Sequence, residues 1–235
     1  MKSINCDTAI VIAARNEEDN IIAVVQDASQ HGDVFVVDDA SEDRTAALAA
    51  EAGAFVLRHS HRTHIRQAYI DGWRWVLYQQ DHTYRYIVQM DAGHSHDTNA
   101  IPKLLAPIQN HHANMVVGSR FVTGGKFINQ PRWRILLSHC GSYLVRLLTG
   151  IPVKDVTSGF RAYNASTLLC LDNTGITDTI KAKAHAFQFE WLVTVWRLGY
   201  KIKEVPIIYV GSQSSVKLST VIEALKTVYR IWREK

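Results

Sequence analysis

Five short apolar runs in the first half of the chain each end on charge. Thr8 to Ala14 (TAIVIAA) runs into Arg15, Val34 to Val37 into Asp38 and Asp39, and Ala54 to Leu57 into Arg58. Tyr86 to Met90 runs into Asp91, and Met115 to Ser119 into Arg120. Brought together, three carboxylates would repel an anion, yet three guanidinium groups would attract one. A divalent cation bridging carboxylate and diphosphate removes the conflict, and Mg²⁺ or Mn²⁺ prefers oxygen ligands of this kind. The arginines could then hold phosphate oxygens bidentately. Neither GxGxxG nor GxxxxGK(S/T) occurs, so a dinucleotide fingerprint and a Walker loop are both excluded.

These groups converge only if the apolar runs are neighbouring parallel strands. Helical patterns separate them: about Glu17 to Gln30 with Asn16 as N-cap, Ser41 capping a helix through Ala52, Ile65 to Gln80, and Asn99 to Leu105. The βαβα rhythm predicts a mixed, mostly parallel, doubly wound α/β sheet flanked by helices, whose strands present their carboxyl ends to one crevice where ligands bind. The second half is less regular. Gly124, Gly125, Asn129 and Pro131 mark a loop, and Arg132 to Thr149 reads as a helix. A strand at Phe160 to Tyr163, a helix at Phe187 to Leu198 ended by Gly199, and a strand at Ile202 to Val210 follow. A basic amphipathic helix from Val216 to Lys235 closes the chain.

The length of 235 residues suits one α/β domain, which should bury roughly 70% of its unfolded surface. Hydrophobic residues make up 47% and charged residues 20%, which excludes a disordered chain. Lys plus Arg total 26 against 22 for Asp plus Glu, and a net charge of +4 is too mild for a nucleic-acid binder. Three cysteines (Cys6, Cys140, Cys170) without a CxxC pair fit a reducing cytoplasm better than a disulfide framework. The opening MKSINCDTAIVIAARNEE reaches a charge cluster too soon for a signal peptide, and no run of 18 apolar residues occurs.

Eight stretches, in order, resemble glycosyltransferase family 2 with the GT-A fold, above all its dolichyl-phosphate (polyprenyl-phosphate) mannosyltransferase branch. They are VIAARNEE (Val11 to Glu18), VVDDASEDRT (Val36 to Thr45), AYIDGW (Ala68 to Trp73), MDAGHSHD (Met90 to Asp97), VVGSRF (Val116 to Phe121), KDVTSGFRAYN (Lys154 to Asn164), FQFEW (Phe187 to Trp191) and LGYKIKEVPI (Leu198 to Ile207). The resemblance covers about Ala9 to Leu218. It implies a single GT-A domain over residues 1–235, with a nucleotide-sugar half at 1–120 and an acceptor half with the C-terminal helix at 121–235. It further implies transfer of a hexose from a GDP-mannose or UDP-glucose type donor to a polyprenyl phosphate, with inversion and with Mg²⁺ or Mn²⁺ assisting.

The roles it implies are specific. Arg15 and Glu17 lie beside the base and ribose, and Asp39 with Asp38 holds the nucleoside. Asp91 matches the first acid of the DxD element and binds the metal. Ser119 and Arg120 stand at the acceptor side, Arg132 or Arg134 grips the acceptor phosphate, and Thr157, Ser158 and Gly159 belong to the site. Asp91, Arg120 and Arg132 are the catalytic set, while Ser119 and Lys217 join the ligand-binding set. Three departures stand against the pattern. The second DxD acid is Gly93, leaving Asp97, His94 or His96 to compensate; HSHRTHIRQ replaces a glycine-rich stretch; and the tail YVGSQSSVKLS keeps only Lys217 as its basic match. A GT-A protein that binds sugar nucleotides with weak or no turnover, and a transferase to a soluble acceptor, are the competing readings.

Other groups have plainer readings beside the functional one. His59, His61 and His64 read as a polar or phosphate-facing loop rather than a zinc site, and Asp71 as a helix-surface acid. Glu190 either orients the site or caps a segment. Apolar stripes on Arg132 to Thr149 and on the C-terminal helix, each with basic residues beside them, fit a membrane surface, the core or a partner subunit of a homo-oligomer. With the resemblance, they imply a peripheral position on the cytoplasmic membrane face.

Overall fold

The computed structural model describes residues 6–211 and 218–234. The first half alternates as expected: β1 (Thr8–Ala14), α1 (Ile21–Ala28), β2 (Asp33–Asp38), α2 (Thr45–Glu51), β3 (Phe55–Arg58), α3 (His64–Leu77), β4 (Tyr86–Asp91), α4 (Ile101–Gln109) and β5 (Met115–Ser119). The second half holds β6 (Lys126–Ile128), α5 (Arg132–Thr149), β7 (Arg161–Asn164), α6 (Ala165–Asn173), α7 (Ile176–Thr179), α8 (Ala186–Arg197), β8 (Ile202–Pro206), β9 (Ile208–Val210) and α9 (Leu218–Arg233). Seven strands form one sheet in the order β3-β2-β1-β4-β7-β5-β8, parallel except for β7, which runs against both neighbours. The mixed, mostly parallel α/β architecture expected from the sequence is therefore observed.

Apolar content explains the arrangement. The runs TAIVIAA and VFVV are buried on both faces, as interior parallel strands must be. One side of the sheet is sealed by Trp73, Tyr69, Phe187 and Trp191 from α3 and α8, the other by Val24, Val25, Leu104 and Ile108 from α1 and α4. At Gly72, a Cβ would overlap Val11 Cγ1, so glycine is what lets α3 seat on β1. Register then aligns the chemistry: Ala14 pairs with Asp38 and Ala13 with Asp91, so Arg15, Asp38, Asp39 and Asp91 leave the sheet at one edge.

Three boundaries differ from expectation. Asn16 and Ser41 cap no helix; α1 starts at Ile21 and α2 at Thr45. Instead the Asn16 N–H donates to Ser41 Oγ at 2.9 Å and Asn16 Oδ1 accepts from the Glu42 N–H at 2.9 Å, latching the β1–α1 and β2–α2 loops together. The single strand expected at 202–210 is two. After Pro206, which has no N–H for the ladder, the chain leaves the large sheet and β9 pairs with β6. Val216 and Lys217, the expected start of the last helix, lie outside the described residues.

Candidate active site

Asp91 stands at the end of β4 with its side chain 40% exposed. The Tyr69 hydroxyl of α3 donates to its Oδ1 at 2.7 Å. Tyr69 is fully buried, and burial with the adjacent Asp91 charge holds its pKa far above the usual value, so it stays a donor. Gly159 faces the carboxylate: a Cβ there would stand 3.3 Å from both Asp91 oxygens. His96 stacks on Phe160 with ring centroids 4.8 Å apart, its Nε2 3.9 Å from Asp91 Oδ2. Burial pushes the His96 pKa down despite Asp91, leaving a neutral imidazole at pH 7.

Beside it, the residues expected at the nucleoside mainly build the loops. Arg15 Nη1 donates to Asp39 O at 2.8 Å and Ala40 O at 3.1 Å, and Nη2 to Glu42 Oε1 at 3.2 Å. Asp38 is wholly buried, bonded to Ser41 Oγ and paired with Arg58 Nε at 3.2 Å. Asp39 accepts from Thr63 N at 2.6 Å and His64 N at 2.9 Å. Burial opposes its ionisation, but these bonds and His59 outweigh it and hold the carboxyl below its ordinary value. His59 also reaches Asp71 at 3.2 Å, so Asp71 is tied into this network rather than being a plain surface acid. Asn16, Ala40, His64 and His94, which follow the first four strands, all adopt positive φ without being glycine. Such backbone concentrates at functional edges.

Arg120, expected at the acceptor side, is already committed. Its Nε and Nη2 donate to Asp155 at 2.7 Å each, and Nη2 also to Thr157 Oγ1 at 2.7 Å, while Phe121, Phe127 and Tyr209 surround it. Burial would raise the Asp155 pKa, yet Arg120 outweighs it and holds it low. The pair is nearly neutral, so Arg120 shapes the wall more than it offers a free charge. Ser119 is buried, its Oγ accepting from Phe121 N at 3.2 Å. Arg132 is exposed at the first residue of α5, whereas Arg134 faces the cavity. Two residues along a helix turn by about 200°, so only one of the two can face inward. Lys217 lies outside the described residues.

A cavity of about 410 Å³ joins Asp91 to the Arg120 wall and to α5, α8 and α9; Arg15, Glu17, Asp38 and Asp39 do not line it. Asp91, His96, Arg120, Arg134, Thr157, Gly159 and His185 supply its polar wall; Leu137, Leu144 and Val145 of α5, Phe189 of α8, and Leu225 and Val228 of α9 supply an apolar one. Beneath the polar wall Arg161 is fully buried and donates to Ser158 O at 2.8 Å, Gln188 O at 2.7 Å and Val156 O at 3.3 Å. Asp155, Arg161 and Tyr69 were not singled out from the sequence, although the first two lie in KDVTSGFRAYN and the third in AYIDGW. Glu190 proves to be a cap: it accepts from Lys181 N and Ala182 N and pairs with Arg230 at 2.6 Å.

Among the described residues, no three His, Cys, Asp or Glu side chains group closely enough to hold a metal. Two of the three expected substitutes for the second acid, Asp97 and His94, are engaged elsewhere. Asp97 accepts from Asn99 N at 3.0 Å as a turn cap and His94 lies 3.7 Å from Asp27, whereas His96, stacked on Phe160, stays 3.9 Å from Asp91 Oδ2. Asp91, left approachable on both oxygens by Gly159, fits a hard cation that takes one or two carboxylates and its remaining oxygens from a diphosphate. No helix among the described residues is long and apolar enough to cross a membrane.

Comparison with known proteins places the chain in a family. Residues 9–171 match the family model described as glycosyl transferase family 2. An undecaprenyl-phosphate mannosyltransferase of Micrococcus luteus is 36% identical over 231 residues, covering 94% of this chain and 91% of the relative. A polyprenol monophosphomannose synthase of Mycolicibacterium smegmatis is 30% identical over 218 residues, covering 89% and 79%. Among solved structures, the glucosyl-3-phosphoglycerate synthase of Mycobacterium tuberculosis in complex with Mn²⁺, UDP-glucose and phosphoglyceric acid superposes with a TM-score of 0.71. At 19% identity, covering 97% of this chain and 80% of that one, it shares the GT-A fold.

Proposed function

The chain belongs to glycosyl transferase family 2 and is a glycosyltransferase; on that premise we propose that it moves a hexose from a nucleotide diphosphate sugar of the GDP-mannose or UDP-glucose type to a polyprenyl phosphate. One observation carries the acceptor. A single cavity joins the polar group around Asp91 and Arg134 to an apolar wall built by α5, α8 and α9, which suits a phosphate head on a hydrocarbon tail. The names of the M. luteus and M. smegmatis relatives support the same reading.

The mechanism follows from charge. A phosphate monoester is already anionic near pH 7, so its oxygen attacks the anomeric carbon without a strong general base. What remains is positioning and stabilisation of the leaving diphosphate. A bound Mg²⁺ or Mn²⁺ would neutralise developing charge on that leaving group. Asp91 would hold the ion, Tyr69 fixing the carboxylate from behind. Arg134, with Lys217 and exposed Arg132 as further cations, would steer the acceptor phosphate. The Arg120–Asp155 pair, with Ser119 behind it, keeps Thr157 and Gly159 against the reacting centre. Arg15, Asp38 and Asp39 shape the nucleoside side. In-line displacement inverts the anomeric carbon. Residues 1–120 thus serve the donor, and 121–235 the acceptor.

The exposed apolar side chains of α5 (Trp133, Leu136, Tyr143, Leu147) and α9 (Leu225, Tyr229, Trp232) sit beside basic residues. They favour a peripheral position in the headgroup region of the cytoplasmic membrane face. The test is direct: purified protein, labelled GDP-mannose or UDP-glucose, a short polyprenyl phosphate and Mn²⁺, with lipid-linked sugar read by chromatography. Absence of product with every common donor would refute the assignment. Gly93 motivates a second reading, a sugar-nucleotide binder with weak turnover; calorimetry showing nucleotide binding with no product would favour it. Product on a soluble acceptor, with no co-sedimentation on liposomes, would instead move the acceptor assignment away from lipid.

A further inference from the structure

Gly93 leaves a gap two residues beyond Asp91, and a carboxylate from a different loop projects into it. A Cβ at position 93 would stand 3.6 Å from Glu17 Oε1 and 3.8 Å from Glu17 Oε2, with Ser95 Oγ also at 3.8 Å. The Glu17 carboxylate thus lies in van der Waals contact with the point where a side chain at 93 would begin. Glu17 is held there from the β1–α1 loop: its N–H donates to Thr45 Oγ1 at 2.8 Å, and its Oε2 accepts from Asn20 Nδ2 at 2.9 Å. Oε1 accepts no hydrogen bond among the described residues. Burial, with the negative field of Asp91 added and the Asn20 bond opposing, pushes the Glu17 pKa up.

We propose that Glu17, beside Gly93, supplies the second carboxylate for the divalent cation, together with Asp91. Two carboxylates plus diphosphate oxygens make an ordinary oxygen set for Mg²⁺ or Mn²⁺. The acid missing from the DxD element is thus replaced through the fold, not through a neighbour in sequence. Glu17 accordingly acts on the cation rather than on the ribose. The inference rests on the reading that the cleft takes a nucleotide diphosphate.

The test measures Mn²⁺ uptake by the full-length protein saturated with GDP or with UDP, read from the paramagnetic resonance of free Mn²⁺, with no sugar or lipid present. Glu17→Gln should weaken nucleotide-dependent Mn²⁺ affinity by about tenfold or more. It should leave metal-free nucleotide affinity unchanged and melt no lower than the unsubstituted protein. Adding Gly93→Asp to Glu17→Gln should restore most of the Mn²⁺ affinity, a non-additivity expected only of groups sharing one ligand. Unchanged Mn²⁺ affinity in Glu17→Gln overturns the proposal. So does an equal loss of nucleotide affinity with and without Mn²⁺, which would return Glu17 to the nucleoside. An unsubstituted protein that binds GDP or UDP but takes up no Mn²⁺ refutes this inference alone, and one that binds neither nucleotide refutes the donor assignment as well. Normal uptake without lipid-linked product refutes only the acceptor assignment.

Discussion

At the residue scale, the polar groups of the cleft divide into those that face the cavity and those that fix its shape. Asp91 faces it, with a buried Tyr69 behind and no side chain on Gly159 in front. Asp91→Asn keeps the Tyr69 bond but removes the charge, and should lower the transfer rate by about 10² to 10³-fold, measured as kcat with saturating donor and Mn²⁺. Arg120 and Asp155 shape it. Asp155 is inaccessible and the Arg120 side chain 9% exposed, so Asp155→Asn strands a buried cation. Breaking such a pair costs about 3–5 kcal/mol, which chemical denaturation of the variant should register.

At the element scale, α5 and α9 build much of the apolar wall of the cavity. Both carry an inward stripe that walls the cavity and an outward apolar stripe. Leu136 and Leu147 are each 64% exposed. Leu136→Glu with Leu147→Glu should abolish co-sedimentation with vesicles containing anionic lipid, while the stability change stays within about 0.5 kcal/mol per site. If these side chains instead pack on a second copy, vesicle binding will be unaffected and the sedimentation velocity will fall. The strands were largely legible because interior parallel strands are continuous apolar runs bounded by charge. Helix starts were less so. Asn16 and Ser41 have good capping side chains, but each found a partner in the other's loop, a tertiary bond that no local pattern encodes.

At the scale of the whole molecule, the buried titratable groups set how stability depends on pH. Asp39, Asp155 and Asp172 all ionise more readily in the fold than in the unfolded chain, because hydrogen bonds and arginine charges outweigh their burial. A depressed carboxyl contributes stability above its unfolded pKa of about 3.9 and loses it as pH falls through the folded value. His96 has the same sign from another cause: burial keeps it neutral in the fold, so below about pH 6.5 the unfolded chain binds a proton that the fold refuses. Glu17 has the opposite sign, since its raised pKa makes the ionised form a cost that lessens on acidification. Three carboxyls outnumber one. The unfolding free energy should be level from about pH 7 to 8, decline gently below about 6.5, and fall steeply below about 4, as followed by urea titration at each pH.

The amino-acid order alone determined the mostly parallel sheet, the single edge at which Arg15, Asp38, Asp39 and Asp91 emerge, and the family, because strand burial and strand ends are written in local composition. Tertiary structure decided the rest. Packing of α5 beside α9 turned Arg134 inward and left Arg132 exposed. An antiparallel β7, inserted between β4 and β5, set Gly159 against Asp91, and Pro206 split one expected strand between two sheets. Folding also brought Glu17 to Gly93 across 76 residues of chain. Meetings of this kind depend on how loops fold back over the sheet, and charge pairing over such separations leaves no periodic trace in sequence.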